Sequence, residues 1–253
     1  MAKVDPISGS NLSPVARRLW LIFVVWSGIG GLVMFLGVSA TDIVDAEAKP
    51  QIFFFLDIFD RHADAVWMFL AAAALFAFLV PAWGESVTWW QLLFIGGVTG
   101  MIETVGVLTG FPFGDYSYTD RYGLRLFGTL PLAIPFAWFV VVASGGAAVR
   151  SLAPRAGRGV RALAVATIAL VTDLNLEPIA WKLRGYWVWY PDLELPPRSP
   201  PLSNFLAWFV IAFLLALALP ARQSPAAGRR PLYLLLVLHG VLLLGHLGVL
   251  LRE

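Results

Sequence analysis

Three acidic residues stand out because they fall within stretches that are otherwise apolar. Glu103 lies within IGGVTGMIETVGVLTG, and Asp173 and Glu177 lie within ALVTDLNLEPIAW. An ionisable side chain in hydrocarbon is costly unless it is paired or hydrated, so at such a position it indicates a functional site. The spacing of four residues places Asp173 and Glu177 on one helical face. The structural alternative is pairing with nearby cations, namely Arg121, Arg125, Lys182 or Arg184.

Two aromatic segments follow these acids along the chain. Residues 111–118 read FPFGDYSY and residues 185–190 read GYWVWY. A belt of Trp and Tyr at the membrane surface explains part of this pattern, and Trp20, Trp89 and Trp90 are expected at the opposite surface. The remaining feature is a set of aromatic rings beside buried acids. That combination suits an apolar, electron-rich substrate or a developing cation.

The overall composition requires a bilayer to hold these residues. Apolar residues make up 59% of the 253-residue chain and charged residues only 13%, with a mean hydropathy of +0.77. This excludes a soluble enzyme. The chain has no Cys, which excludes disulfides, thiolate nucleophiles and Cys-based metal centres. The net charge of +2, from scattered basic residues, argues against nucleic acid as a partner.

Apolar segments predict an all-α, polytopic membrane bundle of about seven transmembrane helices. Residues 19–40 would extend about 33 Å as a helix and so cross the hydrocarbon layer of about 30 Å. By the same test, further spans are predicted at 65–83, 88–108, 126–149, 160–180, 202–220 and 231–251. Residues 51–59 are too short to cross, so we expect them to lie at the interface or dip back into the bilayer.

Basic residues predict the orientation, because short loops rich in Lys and Arg stay cytoplasmic. Such loops are expected after spans four and six, and they contain Arg150, Arg155, Arg158, Arg161, Arg222, Arg229 and Arg230. The sequence therefore predicts a cytoplasmic tail at 1–16, followed by one transmembrane domain at 17–253. In this topology Glu103, Asp173 and Glu177 lie in the outer half of the membrane.

Small residues and prolines predict how the helices pack and bend. Gly28-x-Gly30-Gly31 and Gly96-Gly97-x-x-Gly100 would let helix backbones approach closely. Pro131 and Pro135 are expected to kink span four, and Pro178 is expected to disturb the end of span five.

Other polar residues are weaker candidates for chemistry. His239 and His246 share one helical face, but two imidazoles without a third ligand make a poor metal site. The run Asp57, Asp60 and Asp64 is similar to the acidic magnesium-diphosphate motif of membrane prenyltransferases, although loop acids are usually solvated.

Three strings in order resemble the membrane carotenoid biosynthesis family, which includes CruF-type carotenoid hydratases. They are TGFPFGDYSYT at 109–119, DLNLEP at 173–178 followed by GYWVW at 185–189, and PLSNFLAW at 201–208. Together they cover most of spans three to six. The sequence departs from the family pattern at Glu177, where Asp is common, and in the Pro-rich approach to Pro201.

The resemblance implies addition of water across the terminal, isolated double bond of an acyclic carotenoid. Protonation would give a tertiary carbocation, and water would capture it as a tertiary alcohol. The resemblance implies Glu103, Asp173 and Glu177 as catalytic residues, with Asp173 and Glu177 sharing a proton and Glu103 as the alternative donor or water-positioning base. It also implies substrate-binding residues, namely Asp115, Tyr116, Tyr118, Asn175, Trp187, Trp189 and Asn204.

This chemistry calls for no metal and no redox cofactor, because burial and a neighbouring carboxylate both favour a protonated acid. The expected partners are an acyclic carotenoid and membrane lipid, with other enzymes of carotenoid synthesis as further candidates. The expected location is the cytoplasmic membrane of a bacterium or archaeon. Two alternatives remain: a magnesium-dependent membrane prenyltransferase or lycopene elongase, and a non-catalytic carotenoid- or lipid-binding membrane protein.

Overall fold

The computed structural model describes residues 12–39, 42, 45–190, 199–220 and 227–253. Within them the chain folds as the predicted all-α membrane bundle. Its helices are α1 (Pro14–Leu36), α2 (Pro50–Trp83), α3 (Glu85–Thr109), α4 (Ala133–Leu152), α5 (Arg158–Glu177), α6 (Leu202–Ala218) and α7 (Arg230–Leu250). Six helical segments of this described part are long and apolar enough to cross a membrane, whereas α6 has 17 residues. At 1.5 Å per residue, α6 reaches only about 25 Å.

Local sequence signals set the ends of several helices. The Ser13 hydroxyl accepts a hydrogen bond from the Ala16 amide at 3.1 Å, and Pro14 occupies the first turn, so α1 begins five residues earlier than predicted. Gly37 ends α1 in the left-handed conformation, which lacks a steric penalty only for glycine. Residues 1–11 of the predicted tail lie outside the described part of the chain.

Helix α2 corrects the prediction for residues 51–59. These residues form no separate interfacial segment but the first turns of a continuous 34-residue helix. A helix of that length extends about 51 Å, well beyond the hydrocarbon layer. The apolar run alone is too short to cross the membrane. The sequence did not predict that the helix continues, because the charges of Asp57, Asp60 and Asp64 lower the local hydropathy.

The start of α4 also differs from the prediction. Residues 126–132 precede the helix, and a short antiparallel hairpin forms from β2 (Arg125–Leu126) and β3 (Leu130–Pro131). Pro131 therefore lies in a strand, and Pro135 lies in the first helical turn, where its missing N–H leaves no bond unmade. The prediction that these two prolines kink span four was therefore wrong, because neither lies in the interior of the helix.

Pro178 changes the helix type, as expected from its missing N–H group. Helix α5 ends at Glu177, and a π-helix continues over Pro178–Leu183. The Arg184 amide then donates to the Ile179 carbonyl at 2.8 Å, a bond that spans five residues. The prediction of a disturbed end of span five is confirmed.

Helix α4 lies at the centre of the bundle, in contact with α2, α3, α5, α6 and α7. Glycines allow several of the close contacts. A Cβ on Gly96 would meet Pro135 at 3.3 Å, and a Cβ on Gly31 would meet Leu244 at 3.4 Å, whereas Gly28, Gly30 and Gly97 face open space. The predicted glycine contacts are therefore only partly confirmed.

Two aromatic segments pair to form a second small sheet across one end of the bundle. Strand β1 (Tyr116–Tyr118) follows α3, and β4 (Trp187–Trp189) follows the π-helix. They run antiparallel, with Tyr116 opposite Trp189 and Tyr118 opposite Trp187. We call this the sheet end of the bundle. Helices α3 and α5 both run toward it, so the acids near their C-terminal ends are brought beneath the sheet.

Candidate active site

The three acids singled out in the sequence are all buried near the sheet end. The exposed fraction is 4% for Glu103, 0% for Asp173 and 2% for Glu177. Burial of a carboxyl group without hydrogen-bonding partners costs several kcal/mol, so the partners of each oxygen decide what the group can do.

The β1–β4 sheet supplies donors to two of these acids. Side chains alternate along a strand, so Tyr116 and Tyr118 share one face of the sheet. Opposite residues of paired strands share that face, which adds Trp189 and Trp187. All four rings are buried. Their polar atoms therefore point from one sheet face into the helical bundle.

Glu103 is held by three neutral donors. The hydroxyls of Tyr116 and Tyr118 donate to Oε2 at 2.8 and 2.9 Å, and the Trp138 indole donates to Oε1 at 3.1 Å. Burial, together with the charge of Glu103, raises the pKa of both tyrosines, so they remain protonated donors. Trp138 lies on α4, and its ring stacks on the ring of Trp208 on α6, with the ring centroids 4.2 Å apart.

Glu177 is held in the same way by three N–H donors. The indoles of Trp187 and Trp189 donate to Oε2 at 3.2 and 3.1 Å. The Asn204 amide donates to Oε1 at 2.9 Å. Indole and amide nitrogens donate and do not accept, so this geometry matches an acceptor-only carboxylate.

Asp173 differs from its two neighbours in its hydrogen bonding. Its Oδ2 accepts from the second N–H of the Asn204 amide at 2.8 Å, so Asn204 bridges Asp173 and Glu177. Its Oδ1 is buried and has no hydrogen-bond partner among the described residues. A protonated carboxyl group carries one O–H donor. The proton of Asp173 is therefore assigned to Oδ1, because no other group among the described residues donates a hydrogen bond to that oxygen.

The predicted alternative of ion pairing is not seen for these acids. Arg184 pairs with Asp64, with Nη2 2.6 Å from Oδ2, and Lys182 pairs with Glu253. The Arg125 guanidinium donates to the Tyr118 carbonyl at 3.1 Å. Among the described residues, Glu103, Asp173 and Glu177 thus have neutral partners only.

Two of the predicted binding residues, Asn175 and Asp115, have other hydrogen-bond partners among the described residues than the three acids. The Asn175 amide donates to the Val171 carbonyl at 2.8 Å, and its oxygen lies 3.3 Å from Nδ1 of His246 on α7. Asn175 thus faces α7. It is two residues from each acid along α5, and residues two apart lie on different faces of a helix. The Asp115 carbonyl accepts from the Tyr190 amide at 2.8 Å, so its backbone extends the sheet pairing.

The acidic run in α2 takes part in ion pairs. Asp57 accepts from Arg61 at 2.8 Å, and Asp60 and Asp64 both contact Arg184. The Tyr186 hydroxyl donates to Asp64 at 2.6 Å, and burial together with the charge of Asp64 raises the Tyr186 pKa. No group of three or more metal-binding side chains occurs within the described ranges, so this part of the chain does not bring the run together as a metal site.

A narrow apolar cavity of about 40 Å³ lies inside the bundle next to this site. Rings from four tryptophans line it, and two of these donate to the acids: Trp138 to Glu103 and Trp187 to Glu177. Trp138 was not singled out in the sequence because its position in an apolar helix carries no local signal of a polar contact.

The fold and site define a class of protein: a multi-pass helical membrane protein with a buried cluster of acids held by neutral donors. Residues 63–250 match the carotenoid biosynthesis protein family, and the chain belongs to that family. Its role is therefore in carotenoid modification.

One relative is the bisanhydrobacterioruberin hydratase of Haloarcula japonica, which is 31% identical over 112 residues. The match covers 43% of this chain and 36% of the relative, so it spans only about a third of that protein. No solved structure matches this chain.

Proposed function

We propose that this protein is a carotenoid hydratase that adds water to the terminal double bond of an acyclic carotenoid. One observation carries the proposal: of three buried acids, two have all their donors in place and the third, Asp173, keeps one oxygen without a donor. An isolated alkene has no polar group for an enzyme to activate, so its hydration starts with the transfer of a proton to carbon.

Asp173 is the proton donor in this proposal. Its O–H proton forms a C–H bond at the less substituted alkene carbon, and the π electrons of the double bond supply that bond. The cation forms on the neighbouring carbon that bears two methyl groups. Asp173 becomes a carboxylate. The negative charges of Glu103 and Glu177 then stabilise the new positive charge, because preorganised charges and dipoles act most strongly in a water-poor site.

Water then captures the cation. A lone pair of the water oxygen forms the C–O bond, and the water loses one proton as the tertiary alcohol forms. That proton returns to Asp173 and restores the starting state, so the net change is one water added to one alkene. Glu177 lies one helical turn away, and Asn204 donates to both acids. In this proposal Glu177 orients the incoming water.

Isotope incorporation tests the reaction directly. The purified protein in lipid is incubated with lycopene in ¹⁸O-labelled water, and the pigments are analysed by mass spectrometry. We expect a product heavier by one water, with the label in a tertiary hydroxyl group. Unchanged pigment that co-purifies with the protein would instead favour a non-catalytic binding protein, and loss of product on chelation would favour the magnesium-dependent alternative.

A further inference from the structure

An apolar groove lies on the outside of the bundle between α3 and α6. It has a volume of about 530 Å³ and ten lining residues. They include Ile102, Val105, Phe111, Ala207, Val210 and Ile211. The polar exception is Ser203, whose hydroxyl donates to the Phe113 carbonyl at 2.8 Å and so is already satisfied. The groove thus offers shape and apolar contact, with no unsatisfied hydrogen-bonding side chain in its lining.

The groove meets the acid site along one face of α6. Asn204, Ala207 and Ile211 follow at three- and four-residue spacing, so they form one stripe of the helix. Asn204 bonds Asp173 and Glu177, whereas Ala207 and Ile211 line the groove. On α3, Ile102 lines the groove and the next residue is Glu103. Helices α3 and α6 therefore contribute residues both to the groove and to the acid site.

Volume decides where a long substrate fits. The internal cavity beside the acids holds about 40 Å³, and ligand pockets of drug-sized molecules measure roughly 300–1,000 Å³. The cavity is thus too small for a polyene, whereas the groove is within this range. Residues 203–211 span eight helical steps, or about 12 Å, so the groove holds only the stretch of a long chain nearest its end.

We propose that the α3–α6 groove binds the polyene chain of an acyclic carotenoid and directs its terminal double bond toward Asp173. This inference rests on the proposed function for the identity of the ligand. The rest of the polyene extends into the bilayer, where its alternating single and double bonds meet only hydrocarbon. The substrate enters sideways from the membrane, without crossing an aqueous phase.

Binding and turnover are measured separately to test this. Val105→Trp and Val210→Trp each fill the groove, and both valines are about half exposed to lipid, so the changes do not disturb the packed core. Val25→Trp, at another lipid-exposed valine on α1, is the matched control. Lycopene is titrated into each protein in lipid nanodiscs, and binding is followed by the induced circular dichroism of the polyene.

We expect at least a tenfold loss of lycopene affinity in both groove variants and no change in Val25→Trp. Asp173→Asn should bind lycopene like the wild type while losing turnover. The groove proposal is overturned if the groove variants bind lycopene normally or if the wild type shows no induced signal. Groove-dependent binding without incorporation of labelled oxygen would instead contradict the hydratase and leave the groove in place.

Discussion

Two buried acid clusters lie near the same end of this bundle, and they are built in opposite ways. The Arg184 guanidinium offsets the charge of Asp64, and the Tyr186 hydroxyl donates a hydrogen bond to the same carboxylate. Glu103, Asp173 and Glu177 have no cation among their described partners, only phenol, indole and amide donors. Asp64 thus has a cationic partner in direct contact, whereas the three acids of the second cluster are held by neutral hydrogen-bond donors. The first cluster is suited to structure and the second to chemistry.

Removing the proposed proton donor should have the largest effect. Asp173→Asn keeps the shape of the side chain and an oxygen that accepts from Asn204, so the fold should be retained. We expect turnover to fall by up to about 10⁴-fold, the range that general acid catalysis supplies. Product formation in labelled water measures this. Full turnover in the variant would exclude Asp173 as the donor.

Breaking the ion-paired cluster should affect stability more than chemistry. Asp64→Asn leaves the buried Arg184 without its closest anionic partner, which typically costs about 3–5 kcal/mol. We expect a lower apparent unfolding temperature, with near-normal turnover in the fraction that stays folded. Asp57→Asn is the control, because its partner Arg61 is partly exposed and such pairs contribute about 1 kcal/mol or less. Equal losses from both variants would contradict this distinction.

High pH should weaken both clusters, since each depends on buried tyrosine donors. Burial raises the pKa of Tyr118 and Tyr186 in the folded protein, whereas an unfolded tyrosine ionises near pH 10, approximately. Above about pH 10 the unfolded state holds fewer protons than the folded state. The contribution of these tyrosines to the free energy of unfolding is therefore fully present below that pH and decreases as the pH rises. We expect the unfolding temperature to drop above about pH 10, with a shallower slope in Tyr186→Phe. An unchanged slope would argue against Tyr186 as a contributor.

Removing one donor from the acid site should have a smaller effect on turnover. Trp189→Phe keeps the ring in the sheet but deletes one of the three N–H groups on Glu177. The lost hydrogen bond typically costs about 1–3 kcal/mol when its acceptor is buried, so we expect roughly a tenfold decrease in turnover. Trp90→Phe, at an exposed ring on α3, should retain the wild-type rate. Equal turnover rates for the two variants would show that Glu177 does not take part in the reaction.

The smallest effect is expected at Asn175. The resemblance to the family placed it in the binding site, but its side chain faces His246 on α7. Asn175→Ala should change turnover by less than about threefold, whereas Asn204→Ala removes the bridge between Asp173 and Glu177 and should reduce turnover at least as much as Trp189→Phe. A larger loss at Asn175 than at Asn204 would reverse the assignment.

Some features of the fold could be predicted because they depend on local physics. Mean hydropathy over a stretch of about 20 residues decides whether it can cross a bilayer, so the spans near α1, α3, α5, α6 and α7 were placed close to their observed bounds. The prediction was wrong where charge interrupts a helix, as at the start of α2. It was also wrong at 126–132, where apolar residues form a hairpin instead of a helix.

The sequence alone determined that this chain needs a membrane, that it forms a helical bundle, and that Glu103, Asp173 and Glu177 are its unusual residues. Those conclusions follow from the free energy of placing each side chain in hydrocarbon, which is a property of the residue and its close neighbours. Only the tertiary structure decided which acids are paired with cations and which with neutral donors. That choice depends on contacts such as Trp138 to Glu103 and Asn204 to Asp173, between residues about 30 positions apart in the chain, and no local pattern encodes them.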